Sequence, residues 1–132
     1  MKIAIERNPW DKCVSAFRWH SVIKPHLPGI AEQDFGKYLR SNASLLPTDW
    51  ANYTVDDKPV VDVFFYENLD ILYGWIQLIT GVDIPKDLRY NTKLKKTERS
   101  HYTEYYDKDD IDFVASLFHN EIREYGYEFG KD

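Results

Sequence analysis

Apolar and polar positions along the chain repeat with two different periods, and the switches between them mark out the elements. Residues 2–6 carry the short apolar run Ile3–Ile5 and predict a strand. Asn8 then suits a helix N-cap and Pro9 the first helical position. Trp10, Val14 and Phe17 recur at i, i+4, i+7 as one buried face, while Asp11, Ser15 and Arg18 share another. Asp11 falls in the first turn, where its charge suits the helix dipole, and the helix should fade before Pro25. KPHLPGI reads as a loop, and a second helix is expected over Glu32 to Arg40, burying Phe35, Tyr38 and Leu39. Residues 41–59 predict an ordered but irregular excursion with a turn at Asp56-Asp57.

PVVDVFFY, residues 59–66, is β-branched, aromatic and nearly all apolar, the pattern of a strand buried on both faces in a parallel sheet. In ENLDILYGWIQLITG the period becomes helical, with Leu69, Leu72, Ile76 and Ile79 inward and Gly81 placed to end the helix. Residues 86–106 read as a basic and then aromatic loop. A last helix is expected from Asp107, burying Ile111, Val114, Phe118, Ile122 and Tyr125 and stopping at Gly126. Strand followed by helix occurs twice, which predicts an α/β fold. Nothing repeats internally, and 132 residues fit one domain.

Composition narrows the function. Twenty-two acids against 17 bases give a net charge of −5, which argues against nucleic acid as a partner. A small anionic ligand stays open wherever bases cluster locally. The single cysteine, Cys13, excludes an internal disulfide and any multi-cysteine zinc site. No apolar run is long enough to span a bilayer and the N-terminus has no signal-like core, so the chain as given reads as cytoplasmic. The aromatic content, with ten Tyr and four Trp, predicts side chains lying half in the core and half at a site or interface.

Two segments could carry chemistry. Arg7 stands at the carboxyl end of the first strand, where open α/β sheets bind ligands, and Ser15 follows eight residues later on the helix. An arginine beside a helix N-terminus offers fork-shaped donors to a phosphate. The alternative is a plain strand-to-helix junction, with Arg7 paired to a surface acid and Ser15 facing solvent. The second segment, LKKTERSHYTEYY, sets Lys95, Lys96 and Arg99 beside His101, Tyr102, Tyr105 and Tyr106, a mixture able to close over a phosphate and stack on a base. Its alternative is a solvated charge run with tyrosines packed on the core. The four histidines form no metal pattern, and no Gly-rich phosphate loop, GxSxG or HExxH is present.

Taken together, RNPWDKCVSAFRW, FFYENLD, HYTEYYD and EYGYEF resemble, in order and spacing, the sulfotransferases that use 3′-phosphoadenylyl sulfate (PAPS), in particular the carbohydrate-type family 2 kind. The resemblance runs from residue 1 to about residue 130. It implies a partial P-loop-kinase-like fold and transfer of a sulfuryl group from PAPS to a hydroxyl of a carbohydrate or small metabolite. It places Arg7 and Ser15 as ligands of the 3′-phosphate, with Lys95, Lys96 and Arg99 as further donors to the nucleotide. FYENL carries Phe65 where the family commonly has an arginine. No catalytic base follows from the resemblance; His20 is the least unsuited.

Family members begin with a strand and a lysine-bearing loop that grips the 5′-phosphosulfate, and this chain resembles the part after it. The expectation is therefore a C-terminal portion starting at an internal or truncated methionine, with a non-catalytic relic or a self-associating, nucleotide-binding interaction protein as the alternative. In the family's sheet the loop-bearing strand lies between the strands matching residues 2–6 and 60–66. Without it these two strands either pair directly or cover their edges by self-association as a homo-oligomer.

Overall fold

Asn8 decides where the first strand stops and the first helix starts. In the computed structural model, which describes residues 1–23, 34–85 and 100–131, strand β1 spans Ile3–Glu6 and helix α1 spans Pro9–Arg18. The Asn8 side-chain oxygen accepts from the backbone N–H of Trp10 and Asp11, at 3.0 and 3.3 Å, satisfying two donors that a helix start leaves over. Pro9 at the first position has no donor to lose. The helix passes into a wider, π-helical turn, Trp19–Ile23, which lies within the limit set by Pro25.

Helix α2 spans Phe35–Ser41 and starts on an Asp34 cap, whose carboxylate accepts from Lys37 N–H at 2.7 Å. Phe35, Tyr38 and Leu39 are buried as their spacing predicts. Residues 41–59 are more regular than expected. They hold a 3₁₀ turn at Ala43–Leu45, a one-turn helix α3 at Trp50–Tyr53, and a hairpin of β2 (Thr54–Val55) and β3 (Lys58–Pro59). The predicted turn at Asp56-Asp57 is there, with φ of 50° and 58°. Two successive positive values are what a two-residue hairpin of this hand requires, and Asp tolerates them better than most residues.

Strand β4 (Asp62–Phe65) pairs in parallel with β1, Ile3 against Asp62 through Glu6 against Phe65. The two strands therefore pair directly, the first of the two outcomes expected without an intervening strand. β4 is shorter than predicted, and it is not buried on both faces: Val63 and Phe64 are half-buried, Asp62 and Phe65 exposed. Among the described residues only two strands make this sheet, and α4 packs on one face of it through Trp75 on Phe64.

A 3₁₀ turn at Tyr66–Asn68 leads into α4, Leu69–Thr80, which ends on Gly81 in the left-handed region at φ 72°. Of the four residues expected to face inward, Leu72 is buried, Leu69 and Ile76 are half-buried and Ile79 is exposed. The last expected helix is two. Helix α5 (Lys108–Leu117) and helix α6 (His119–Tyr125) meet at Phe118, which leaves helical geometry while its side chain stays fully buried. A reciprocal cap fixes the start of α5: Asp110 N–H donates to Asp107, and Asp107 N–H to Asp110, at 2.8 and 3.3 Å.

The core lies between α1, α2, α5 and the 3₁₀ turn Tyr102–Tyr105. It is largely aromatic, with edge-on contacts of Phe35 to Tyr106 at 4.8 Å and of Phe17 to Tyr38 at 5.1 Å between ring centroids. Gly36 permits α2 to approach α5: a Cβ there would stand 3.1 Å from the Asp110 carboxylate and 3.3 Å from the Arg40 guanidinium that pairs with it. The small sheet sits at one side of this core. KPHLPGI, Glu32, and Lys95, Lys96 and Arg99 of the basic loop lie outside the described residues.

Candidate functional site

Parallel pairing in register brings the carboxyl ends of β1 and β4 together, and with them the two segments that follow. Asn8 N–H donates to Glu67 Oε1 at 2.6 Å, across 59 residues of sequence. One residue earlier on each side, the Arg7 guanidinium lies over the Tyr66 ring, 4.1 Å from its centroid. The Asn8 amide nitrogen, on a side chain that is 2% exposed, faces the Glu128 and Lys131 carbonyls at 3.4 and 3.2 Å and the Tyr102 hydroxyl at 3.4 Å. Tyr102 Oη in turn accepts from Gly130 N–H at 2.8 Å. Four stretches distant in sequence, at Trp10 and Asp11, Glu67, Tyr102, and Glu128 to Lys131, thus close around one asparagine.

Arg7 is held by the helix that follows it. Its Nε and Nη2 donate to Asp11 Oδ2 at 2.8 and 2.6 Å, an i,i+4 pair that leaves the side chain 14% exposed. Of five guanidinium N–H groups, two are spent on Asp11, so the outer part of the fork keeps donors for a further acceptor. Ser15 sits one turn beyond Asp11, half-buried, and its hydroxyl makes no hydrogen bond among the described residues. Asp11 and Ser15 are thus one turn apart on α1, and Arg7, in the turn before the helix, reaches Asp11. The helix N-terminus itself is not free for an anion, because the Asn8 side chain already accepts from Trp10 and Asp11 N–H. An anion here would rest on side-chain donors rather than on the end of the helix.

Behind these residues lies a buried polar cluster for which periodicity gave no warning. Glu6, 1% exposed, accepts from Tyr53 Oη at 2.8 Å and stands 3.5 Å from Lys12 Nζ. Lys12 also reaches Asp49 at 3.5 Å and lies over the Phe118 ring. Tyr53 and Tyr125 share a hydroxyl contact at 3.1 Å. Glu121 on α6 is buried, and among the described residues its Oε2 has no hydrogen-bond partner. Burial pushes its carboxyl above the usual carboxylate range, with Glu6 adding to the effect and Lys12 and His119 opposing it. Tyr53 and Tyr125 are likewise pushed up, by burial first.

The remaining reactive groups are occupied elsewhere. Cys13 is buried beside Tyr106, and burial pushes its thiol up to about 12, which makes it a core residue and not a nucleophile. His20 Nδ1 lies 2.8 Å from the Tyr38 hydroxyl, itself raised to about 12 by burial. His101 bonds Thr103 at the start of its 3₁₀ turn, and His119 bonds the Ser116 carbonyl. Among the described residues no group of acids, histidines and cysteine could hold a metal ion, and no helix is long and apolar enough to cross a membrane.

Of the predicted site residues, Arg7 stands in the turn before α1 and Ser15 on α1, while Lys95, Lys96 and Arg99 lie outside the described residues. The Tyr66 ring under Arg7 and the Glu67 carboxylate under Asn8 went unassigned, although both lie in the YENL run that stood out in the sequence. No protein-family model, curated protein or solved structure matches the chain.

Proposed function

We propose that the chain is a sulfotransferase-like domain, related in architecture to P-loop kinases, which binds PAPS or its product adenosine 3′,5′-bisphosphate (PAP). The sulfuryl group would pass to a hydroxyl of a carbohydrate or small metabolite. One observation carries the reading. The two segments that most resemble the family, RNP and YENL, meet at the carboxyl ends of adjacent parallel strands, through Asn8 on Glu67 and Arg7 on Tyr66. That is where an open α/β sheet binds its ligand.

The donor set suits a 3′-phosphate. Arg7 keeps outward N–H groups and is held in one orientation by Asp11 and Tyr66, so little freedom is lost on binding. Ser15 supplies a hydroxyl two turns along the helix, and Lys95, Lys96 and Arg99 are auxiliary donors in the reading. Asp11 works against a dianion by neutralising part of Arg7's charge, so the site is expected to bind at micromolar rather than nanomolar strength. PAPS brings the activated sulfuryl group; the residues assigned here bind and orient the nucleotide, and none is assigned to the transfer step. A non-catalytic, PAP-binding or self-associating protein is the second reading, favoured by the bare outer face of α4.

Calorimetric titration with PAP tests the reading. Binding should be measurable, and Arg7→Ala should weaken it by about 1–3 kcal/mol, as for loss of a charged hydrogen-bond partner. Equal affinity in the variant would remove Arg7 from the site.

A further inference from the structure

The face of the sheet that carries α4 is only half covered. Phe64 of β4 packs on Trp75 of α4, ring centroids 5.6 Å apart. In-register parallel pairing puts Ile5 beside Phe64, and Ile3 two residues back, on that same face. Nothing among the described residues covers these two isoleucines as α4 covers Phe64, and β1 pairs with β4 alone, leaving its other edge unpaired. Along α4, Ile71 and Leu78 repeat at i, i+7 on the flank beside Trp75, and Ile79 and Val82 follow. Exposure of these six aliphatic side chains runs from 38% at Ile3 to 82% at Leu78.

We propose that two copies of the chain join β1 edge to β1 edge, antiparallel, about a two-fold axis perpendicular to the sheet. The result is a four-stranded sheet in the order β4-β1-β1-β4, with the two α4 helices on one face closing over Ile3 and Ile5. A second copy is the occupant for two reasons. A strand edge is its own complement under a two-fold axis, since each unpaired N–H meets the carbonyl of an identical strand. The size also fits. An aliphatic side chain presents on the order of 100 Å² of apolar surface, so six that are a little over half exposed present roughly 350 Å². Interfaces are about 60% apolar, which makes the patch roughly 600 Å² per copy and the pair about 1,200 Å², the lower end of stable specific interfaces.

The spacing closes as well. In the paired sheet the two β4 strands stand three strand spacings apart, about 14 Å. Packed helices want about 8–10 Å. A modest inward lean of each α4 therefore brings Ile71 and Leu78 of the two copies into contact above the isoleucines. An interface at the lower end of the size range is expected to be reversible, the dimer forming and dissociating with concentration. The dimer does not depend on the nucleotide reading.

Sedimentation velocity over about 2–200 µM tests the proposal, with circular dichroism confirming the fold of each variant. The native chain should pass from monomer to dimer across that range. Leu78→Glu on the helix and Ile5→Lys on the strand should each weaken the dimer at least ~30-fold, the second because an edge lysine opposes strand pairing. Val55→Glu, at an exposed position on the separate hairpin, should leave it unchanged. A native chain that is monomeric at 200 µM, one that grows into larger polymers, or a Leu78→Glu chain that dimerises like the native one would overturn the proposal.

Discussion

Replacing Asn8 separates two roles that one side chain performs. Its oxygen caps α1 and its nitrogen ties α1 to the chain's C-terminal segment through the Glu128 and Lys131 carbonyls. Asn8→Ala removes both. Loss of an N-cap costs about 1 kcal/mol. The amide contacts are at the long end of hydrogen-bond geometry, and losing them adds about 1 kcal/mol more. The expected loss is therefore ~2 kcal/mol, about 8 °C in melting temperature for a chain of this size. Asn8→Asp discriminates the halves. Aspartate is as good a cap as asparagine, so if capping were all that mattered the variant would be neutral. Here, though, a carboxylate would face the Glu128 and Lys131 carbonyls, with the Tyr102 hydroxyl at 3.4 Å the one donor within reach, beside Glu67, in a position that is 2% exposed. Asn8→Asp should therefore cost at least as much as Asn8→Ala at neutral pH. Urea unfolding followed by circular dichroism measures both. An Asn8→Asp variant within 0.5 kcal/mol of the native chain, a bound set by the low end of cap effects, would refute the role given to the amide nitrogen.

Three further outcomes follow from the core and the buried cluster. Glu121 has its carboxyl raised in the folded state, so its stabilising contribution is complete below the unfolded carboxylate value of about 4.3 and is lost as pH rises through the folded value. Glu121→Gln should remove that part of the pH dependence and raise neutral-pH stability by about 1–3 kcal/mol; parallel stability-versus-pH curves for variant and native chain would contradict this. Phe118→Ala should cost about 3–5 kcal/mol in urea unfolding, because the side chain is fully buried where α5 meets α6. Cys13, buried and raised to about 12, should resist iodoacetamide at pH 7.5 in the native chain and react promptly in urea; quick native modification would show that the core opens there.

The parts of the fold that local rules govern were legible in the sequence. The strand, the Asn8 cap, Pro9, the helix after them, the Asp56-Asp57 turn and the two helix-ending glycines depend on neighbours a few residues away. What escaped depends on partners far off in the chain. Periodicity assigned PVVDVFFY to a doubly buried strand because its residues suit one, yet burial needs neighbours, and among the described residues β4 has a single strand beside it. Ile79 follows the helical stripe of α4 but lies beyond what the sheet reaches. Phe118 keeps the stripe of the last helix while its backbone breaks it. Glu6 and Glu121 look like surface acids in sequence; only the fold shows them buried around Lys12 and Tyr53. Arg7 at the strand end and Ser15 on the helix were legible as candidates, whereas the identity of Asp11 as the acid that pairs with Arg7 became evident only from the geometry.

The central claim concerns the 3′-phosphate, and comparing two nucleotides reaches it most directly. Calorimetry with PAP and with adenosine 5′-monophosphate, which lacks that phosphate, isolates the group that Arg7 and Ser15 are proposed to hold. PAP should bind at least ~10-fold more tightly than the monophosphate, and Arg7→Ala should erase the difference, a factor of ten being about 1.4 kcal/mol. Equal binding of the two nucleotides by the native chain would contradict the account.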